Sequence, residues 1–200
     1  MKPADEFQQV QPGLFFWQSY APAVKSDLSS AALKFGEKLL FIDPIPLASA
    51  ALEELTSLAT PAQIILTNGN HARAAEEYRA RFSIPIAAHS TAEAELGLAL
   101  DQRLQDGDKL LNEITVVEVP GAGAGEIALH APGGVMCIGD ALINLESHGF
   151  ALLPAKYCLQ PKTLPTSLQK LLLFDWQLLT FAHGLPLVFG ARRKLQALLE

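Results

Sequence analysis

The sequence predicts an α/β fold of four layers, two sheets packed face to face with helices outside (αββα), as a single domain over residues 1–200. Three observations predict it. First, the order of segments runs strands, helix–strand–helix, strands, helix–strand–helix, so the chain reads as two similar halves, each with a sheet and helices. Second, a simple doubly wound fold would alternate strand and helix more strictly than this. Third, no stretch rich in Pro, Gly or Ser divides the chain, and 200 residues, half of them hydrophobic, suffice for one sizeable core.

The elements follow in order. GLFFWQSY (13–20), SSAALKF (29–35) and KLLFIDP (38–44) are aromatic or aliphatic segments bounded by Pro, Asp and Gly, as in a strand meander. After Pro44 and Pro46, residues Ala48, Ala51, Leu52, Leu55 and Leu58 recur at helical spacing, with Pro61 as the stop. QIILT (63–67) is a short apolar strand running into the polar loop Asn68–His71. A helix follows with Ala74, Tyr78 and Phe82 on one face and a Glu77–Arg81 pair on another. IPIAA (84–88) is a strand and residues 91–100 a short helix. After Asp106-Gly107-Asp108 come the strands ITVVEV (114–119), EIALHA (126–131) and GVMCIGD (134–140). The segment Thr163-Leu164-Pro165 starts a helix that turns Leu168, Leu171 and Leu172 inward. LLTFAHG (178–184) is a strand, and a last helix carries Ala191, Leu195, Leu198 and Leu199 in one stripe.

Bulk chemistry excludes several classes of function. A net charge of -6 argues against nucleic acid and against an anionic membrane surface. The start, MKPADEFQQV, has no apolar stretch of the secretory type, and no uninterrupted apolar run reaches spanning length. Two isolated cysteines, Cys137 and Cys158, fit a reducing, cytoplasmic setting in which both thiols only pack. There is no GxSxG for a nucleophilic serine. PGAGAGE (120–126) follows a strand, but Glu126 stands where a dinucleotide loop needs its third glycine, and a strand-like segment follows instead of a helix.

The segment IILTNGNHARAAEEY joins a strand end to a helix, the usual place for chemistry. Here the sequence resembles the metallo-β-lactamase superfamily, in which such a strand ends in Thr before a His-x-His-x-Asp-His cluster. Counted from Thr67, the ligand positions fall on Asn68, Asn70, Ala72 and Arg73. The family's Gly-His-Thr/Ser loop matches Gly121, Ala122 and Gly123. Its Gly-Asp, whose carboxylate bridges two metals, matches Gly139-Asp140, and its closing His-Gly matches His183-Gly184. Asp43 matches an aspartate that is structural there. The matches run from about Gln11 to Phe189.

The resemblance implies a dismantled metal centre. Catalytic zinc takes about three protein ligands from His, Cys, Asp or Glu. The first metal position keeps only Asp140, the second only Asp140 and His183, and Arg73 adds a permanent positive charge. No metal cofactor is therefore expected. The expected function is a degenerate member without two-zinc hydrolase activity, binding a small anion through Arg73 and the Gly121–Gly125 amides in a pocket of Asn68, Asn70, His71, Arg73, Ala122, Asp140 and His183. One alternative is a hydrolase with a single non-standard metal on Asp140 and His183, with His71 as a replacement ligand; His71 otherwise reads as a loop or helix-cap residue, its position in the family pointing away from the metals. Another is a partner-binding scaffold, and the apolar surplus also suits a homodimer. His89 reads as a helix cap, and the run Arg192-Arg193-Lys194 as a solvated helix face. Neither His130 nor His148 receives a role.

Overall fold

The computed structural model describes residues 1–200. Its first sheet holds seven strands in chain order: β1 (Gln8–Gln11), β2 (Leu14–Ala21), β3 (Ser26–Phe35), β4 (Lys38–Ile42), β5 (Thr60–Leu66), β6 (Ile86–His89) and β7 (Gln102–Leu104). β1 to β4 form an antiparallel meander. From β4 onward the pairing is parallel, because α1 (Ser49–Ser57), α2 (Ala75–Phe82) and α3 (Glu93–Leu96) each carry the chain back before the next strand. The second sheet contains β8 (Lys109–Leu110), β9 (Ile114–Glu118), β10 (Ile127–Ala131) and β11 (Val135–Ile138). A hairpin of β12 (Leu142–Leu145) and β13 (Gly149–Leu152) follows it. After α4 (Leu164–Gln169), β14 (Leu178–Thr180) returns to the second sheet, parallel to β11, and α5 (Ala191–Leu199) closes the fold.

Three apolar cores separate the four layers. Leu40, Ile42, Ile65 and Ala87 of the first sheet meet Val116, Ile127, Leu129 and Cys137 of the second. On the other face of the first sheet, Leu39, Phe41, Ile64 and Leu66 pack against Leu52, Leu55, Ala75 and Tyr78 of α1 and α2. On the outer face of the second sheet, Val117, Ala128 and Met136 meet Leu164, Leu168 and Leu195 of α4 and α5. The two-residue period of β4 decides this: Leu39 and Phe41 face one core, Leu40 and Ile42 the other. Each fully buried Leu, Ile or Phe contributes roughly 1.5–3 kcal/mol, so a slip of one residue in β4 would exchange two cores at once. This is the αββα sandwich expected from the order of segments.

Some local expectations are corrected. Pro61 does not stop α1; it lies inside β5 and leaves the helix to end at Ser57. The Glu77–Arg81 pair does not form, since Arg81 reaches Glu53 at 3.5 Å, and Arg79 takes Glu76 instead. Residues 91–100 yield only a 3-10 turn and the short α3, ended by Gly97 in a left-handed conformation. LLTFAHG keeps strand pairing only over Leu178–Thr180. Arg192 is not simply solvated, because its guanidinium donates to the carbonyls of Leu172 and Phe174 and ties α5 to the preceding loop. His89 does cap the next turn, its side chain accepting from the Thr91 N–H. Cys137 is buried in the inter-sheet core, where burial pushes its thiol up to about 12. No helix is long and apolar enough to cross a membrane.

Candidate metal centre

Four strand ends open on one edge of the sandwich. Asp43 follows β4, Thr67 and Asn68 follow β5, Asp140 lies two residues beyond β11, and His183 lies three beyond β14. The carboxyl ends of parallel strands are where α/β folds gather their sites.

Asp43 anchors the first sheet's contribution. It has a φ of 47° although a proline follows, where the backbone is normally extended. Its own hydrogen bonds hold it there: one carboxylate oxygen accepts the Thr67 N–H at 2.8 Å, and the other accepts the Thr67 hydroxyl at 2.5 Å. That second oxygen also lies 2.9 Å from His71 Nδ1. The polar loop turns tightly, with the His71 N–H on the Asn68 carbonyl and the Asn70 N–H on the Asn68 side-chain oxygen. This turn brings His71 inward, contrary to the outward orientation that the family pattern gave this position. His71 is 2 % exposed, and its Nε2 lies 3.1 Å from Asp140 Oδ1.

His183 reaches the same oxygen. Its Nε2 lies 3.2 Å from Asp140 Oδ1 and its Nδ1 3.1 Å from the carbonyl of Asp27. The hairpin fixes the backbone beside it: the Asn144 N–H donates to the His183 carbonyl. Gly184, at a φ of 99°, packs so closely that a Cβ would lie 2.0 Å from the Asn144 carbonyl oxygen, so only glycine fits. One donor atom each of His71, Asp140 and His183 lies within 4.8 Å of the others.

The electrostatics are those of a buried charge network. Burial opposes charge on His71, but the Asp43 carboxylate, with help from Asp140, outweighs it and lifts the imidazole to about 9. Burial would raise Asp140 and Asp43; the facing His71 more than cancels that, and holds both below the usual carboxylate range. Glu126 moves the other way, pushed up to about 8 by burial and then by Asp140. Arg73, at a φ of 39°, donates to the carbonyls of Ser29, Asp43 and Ala182.

The expected pocket residues therefore separate. His71, Asp140 and His183 converge. Asn68 is buried beside them and bonded to Glu126, while Asn70 is exposed. Ala122 does not line a pocket with the triad; its side chain lies in the core beneath α4. Arg73 is a clamp between loops, with three of its donor bonds turned to backbone. Glu126 was not singled out in the sequence as a site residue. It alternates onto the face shared with Ala128 and His130, and nothing in that pattern announces a carboxyl that is only 3 % exposed.

The donor set decides which metal arrangement fits. Two metals do not: Ala72 and Ala122 offer no ligand atom, Arg73 offers only donors, and Asn68 is committed on both side-chain atoms. One first-row divalent ion does fit two imidazoles and a carboxylate.

Comparison with known proteins agrees with this architecture. A family model described as the metallo-beta-lactamase superfamily matches residues 8–184. The DIM-1 metallo-beta-lactamase structure superposes with a TM-score of 0.78 at 15% identity, covering 98% of this chain and 97% of the other. Metallo-beta-lactamase structures from Erythrobacter litoralis and Hirschia baltica give TM-scores of 0.75 and 0.76, both at 14% identity. The first covers 96% of this chain and 95% of its own, the second 99% and 98%. At such identities the likeness is one of fold. Among curated proteins none matches the chain.

Proposed function

Since the chain belongs to the metallo-β-lactamase superfamily, we propose that it is a degenerate member without two-zinc hydrolase chemistry, its centre reduced to one metal position held by His71, Asp140 and His183. One observation carries the reading. Nδ1 of each histidine faces an acceptor, Asp43 or the Asp27 carbonyl, and therefore carries the ring's proton when the imidazole is neutral. Each Nε2 then turns a lone pair toward the same Asp140 oxygen. Three electron-rich atoms at that spacing repel unless positive charge lies among them, either as protons or as a metal ion.

The surrounding residues suit a ligand set. Asp43 fixes the tautomer and plane of His71 and raises the basicity of its Nε2, as carboxylates behind metal-bound histidines do. Asp140 and His183 keep partial exposure, so the position is reachable from outside. When bound, the metal would supply Lewis-acid polarisation and a water acidified toward neutral pH. Elemental analysis after purification without chelator tests this. The expected count is one first-row metal per chain, falling at least tenfold in His183→Ala; a native count near zero after equilibration with zinc, manganese and iron(II) would sink the proposal.

A second reading, a small-anion-binding protein without metal, has its own support. Protons alone also satisfy the site: His71 and Arg73 balance Asp43 and Asp140. The backbone N–H groups of Gly121 to Gly125 donate to no protein acceptor, and four of these five residues border a cavity of about 240 Å³ with His89, Gln160 and the carboxyl-bearing Glu118 and Glu126. The anion would sit on these amides rather than on Arg73. Thermal unfolding of the metal-free chain in inorganic phosphate tests it: a midpoint that rises with phosphate but not with added chloride of equal ionic strength is expected, and no rise removes this reading.

A further inference from the structure

Glu126 stands among the three segments that carry ligands in the family's first metal position. Its Oε2 accepts the Asn68 side-chain N–H at 2.8 Å, and its Oε1 accepts the Ala141 backbone N–H at 3.0 Å. Backbone walls the carboxyl in. A Cβ on Gly139 would lie 2.7 Å from Glu126 Oε1 and 2.5 Å from the Thr67 hydroxyl, and one on Gly123 would lie 3.3 Å from the Asn68 side chain. The other side-chain atom of Asn68 accepts the Asn70 N–H. Asn68 and Glu126 thus complete each other's hydrogen bonding in a space where no buried side-chain polar atom is left unpartnered.

We infer that the Asn68–Glu126 pair has rebuilt the first metal position as a closed hydrogen-bonded unit, and that Glu126, in addition to the missing ligands, keeps a second metal out of this chain. The physical reason is occupancy. A side chain at position 68 can address an ion only from its tip, and a carboxyl oxygen already lies 2.8 Å from that tip, held in place by the Ala141 amide on its other oxygen. Restoring a histidine at position 68 while Glu126 remains would take from its Oε2 the N–H it accepts, leaving only the Ala141 amide, and would set a longer side chain against a carboxyl already 2.8 Å from the Asn68 tip. This holds whether or not the position at His71, Asp140 and His183 is filled, because it concerns a gain over the parent count.

The test compares metal per chain, by elemental analysis after zinc equilibration and gel filtration, in two variants. Asn68→His with Asn70→His, keeping Glu126, is expected to hold no more zinc than the parent. The same pair with Glu126→Ser is expected to hold one additional zinc, with Asp140 as third ligand. Additional zinc in the variant that keeps Glu126 overturns the inference, as does none in the folded variant that lacks it. If the histidine variants do not fold, the pair itself is tested by exchange. Asn68→Asp alone removes the N–H that Glu126 Oε2 accepts and is expected to lower the thermal midpoint, whereas Asn68→Asp with Glu126→Gln restores one N–H donor facing one acceptor and is expected to recover at least half the loss. No recovery rejects the pairing.

Discussion

Replacing Asp43 by alanine is expected to cost the metal-free chain about 3–5 kcal/mol of unfolding free energy, the scale found when one partner of a buried charge pair is removed. The size follows from what would be stranded. Asp43 is buried and accepts the Thr67 N–H and hydroxyl while facing His71 Nδ1. Its loss leaves the buried Thr67 amide without its acceptor, leaves His71 Nδ1 only the Thr67 hydroxyl 2.9 Å away, and removes the bonds that hold its own left-handed backbone. Urea unfolding of the chelator-treated chain measures the difference, and a cost below about 1 kcal/mol would falsify the view that this carboxylate organises the site. Asp43→Asn, which keeps an acceptor oxygen but loses the charge, is expected to fall between.

The second large effect is a dependence on pH. In the metal-free chain His71 titrates near 9, above the 6.5 of the free side chain. A group whose folded value is raised stabilises fully below its unfolded value and loses that contribution as pH climbs through the folded one. Roughly 3 kcal/mol should therefore vanish as pH climbs from about 6.5 to about 9. Glu126, raised from 4.5 to about 8, works in the same direction at lower pH, since the folded chain gives up that proton less readily than the unfolded one. Asp43 and Asp140 are lowered, so their contribution is present above about 3.8 and fails as acid protonates them. Stability should therefore peak at about pH 4 to 4.5, above the ordinary value of the two aspartates and below the start of the Glu126 loss. Urea midpoints across pH are the measurement, and an alkaline limb equally steep in His71→Gln would show that another group is responsible.

The layered fold was legible because periodicity survives where burial is two-sided. β4 and β10 alternate between two cores, and the helices show one apolar face each. What periodicity misses is short: β7, β8 and the β12–β13 hairpin contain two to four residues per strand, too few to establish a period. The centre was half legible. Asp140 and His183 stand at strand ends in recognisable order, but the direction of His71 depends on the turn set by the Asn68 side chain. Arg73 promised charge for a ligand and instead spends its donors on three carbonyls, because its strained backbone aims it between the loops. Glu126 was hidden for a different reason. A carboxyl on the alternate face of a strand reads as solvated, and only the approach of Asn68 and Ala141 from distant segments makes that position interior.

The line of contacts from Asp43 through His71 and Asp140 to His183 also bears on how the molecule comes together. Its members belong to opposite halves of the polypeptide, and the charged middle is stable only once all of them have met. While the amino-terminal half emerges alone, Asp43 and His71 have no Asp140 to face and stay hydrated. Closing this edge therefore needs both halves in their native places at once, so a lesion in either half reaches the same four residues.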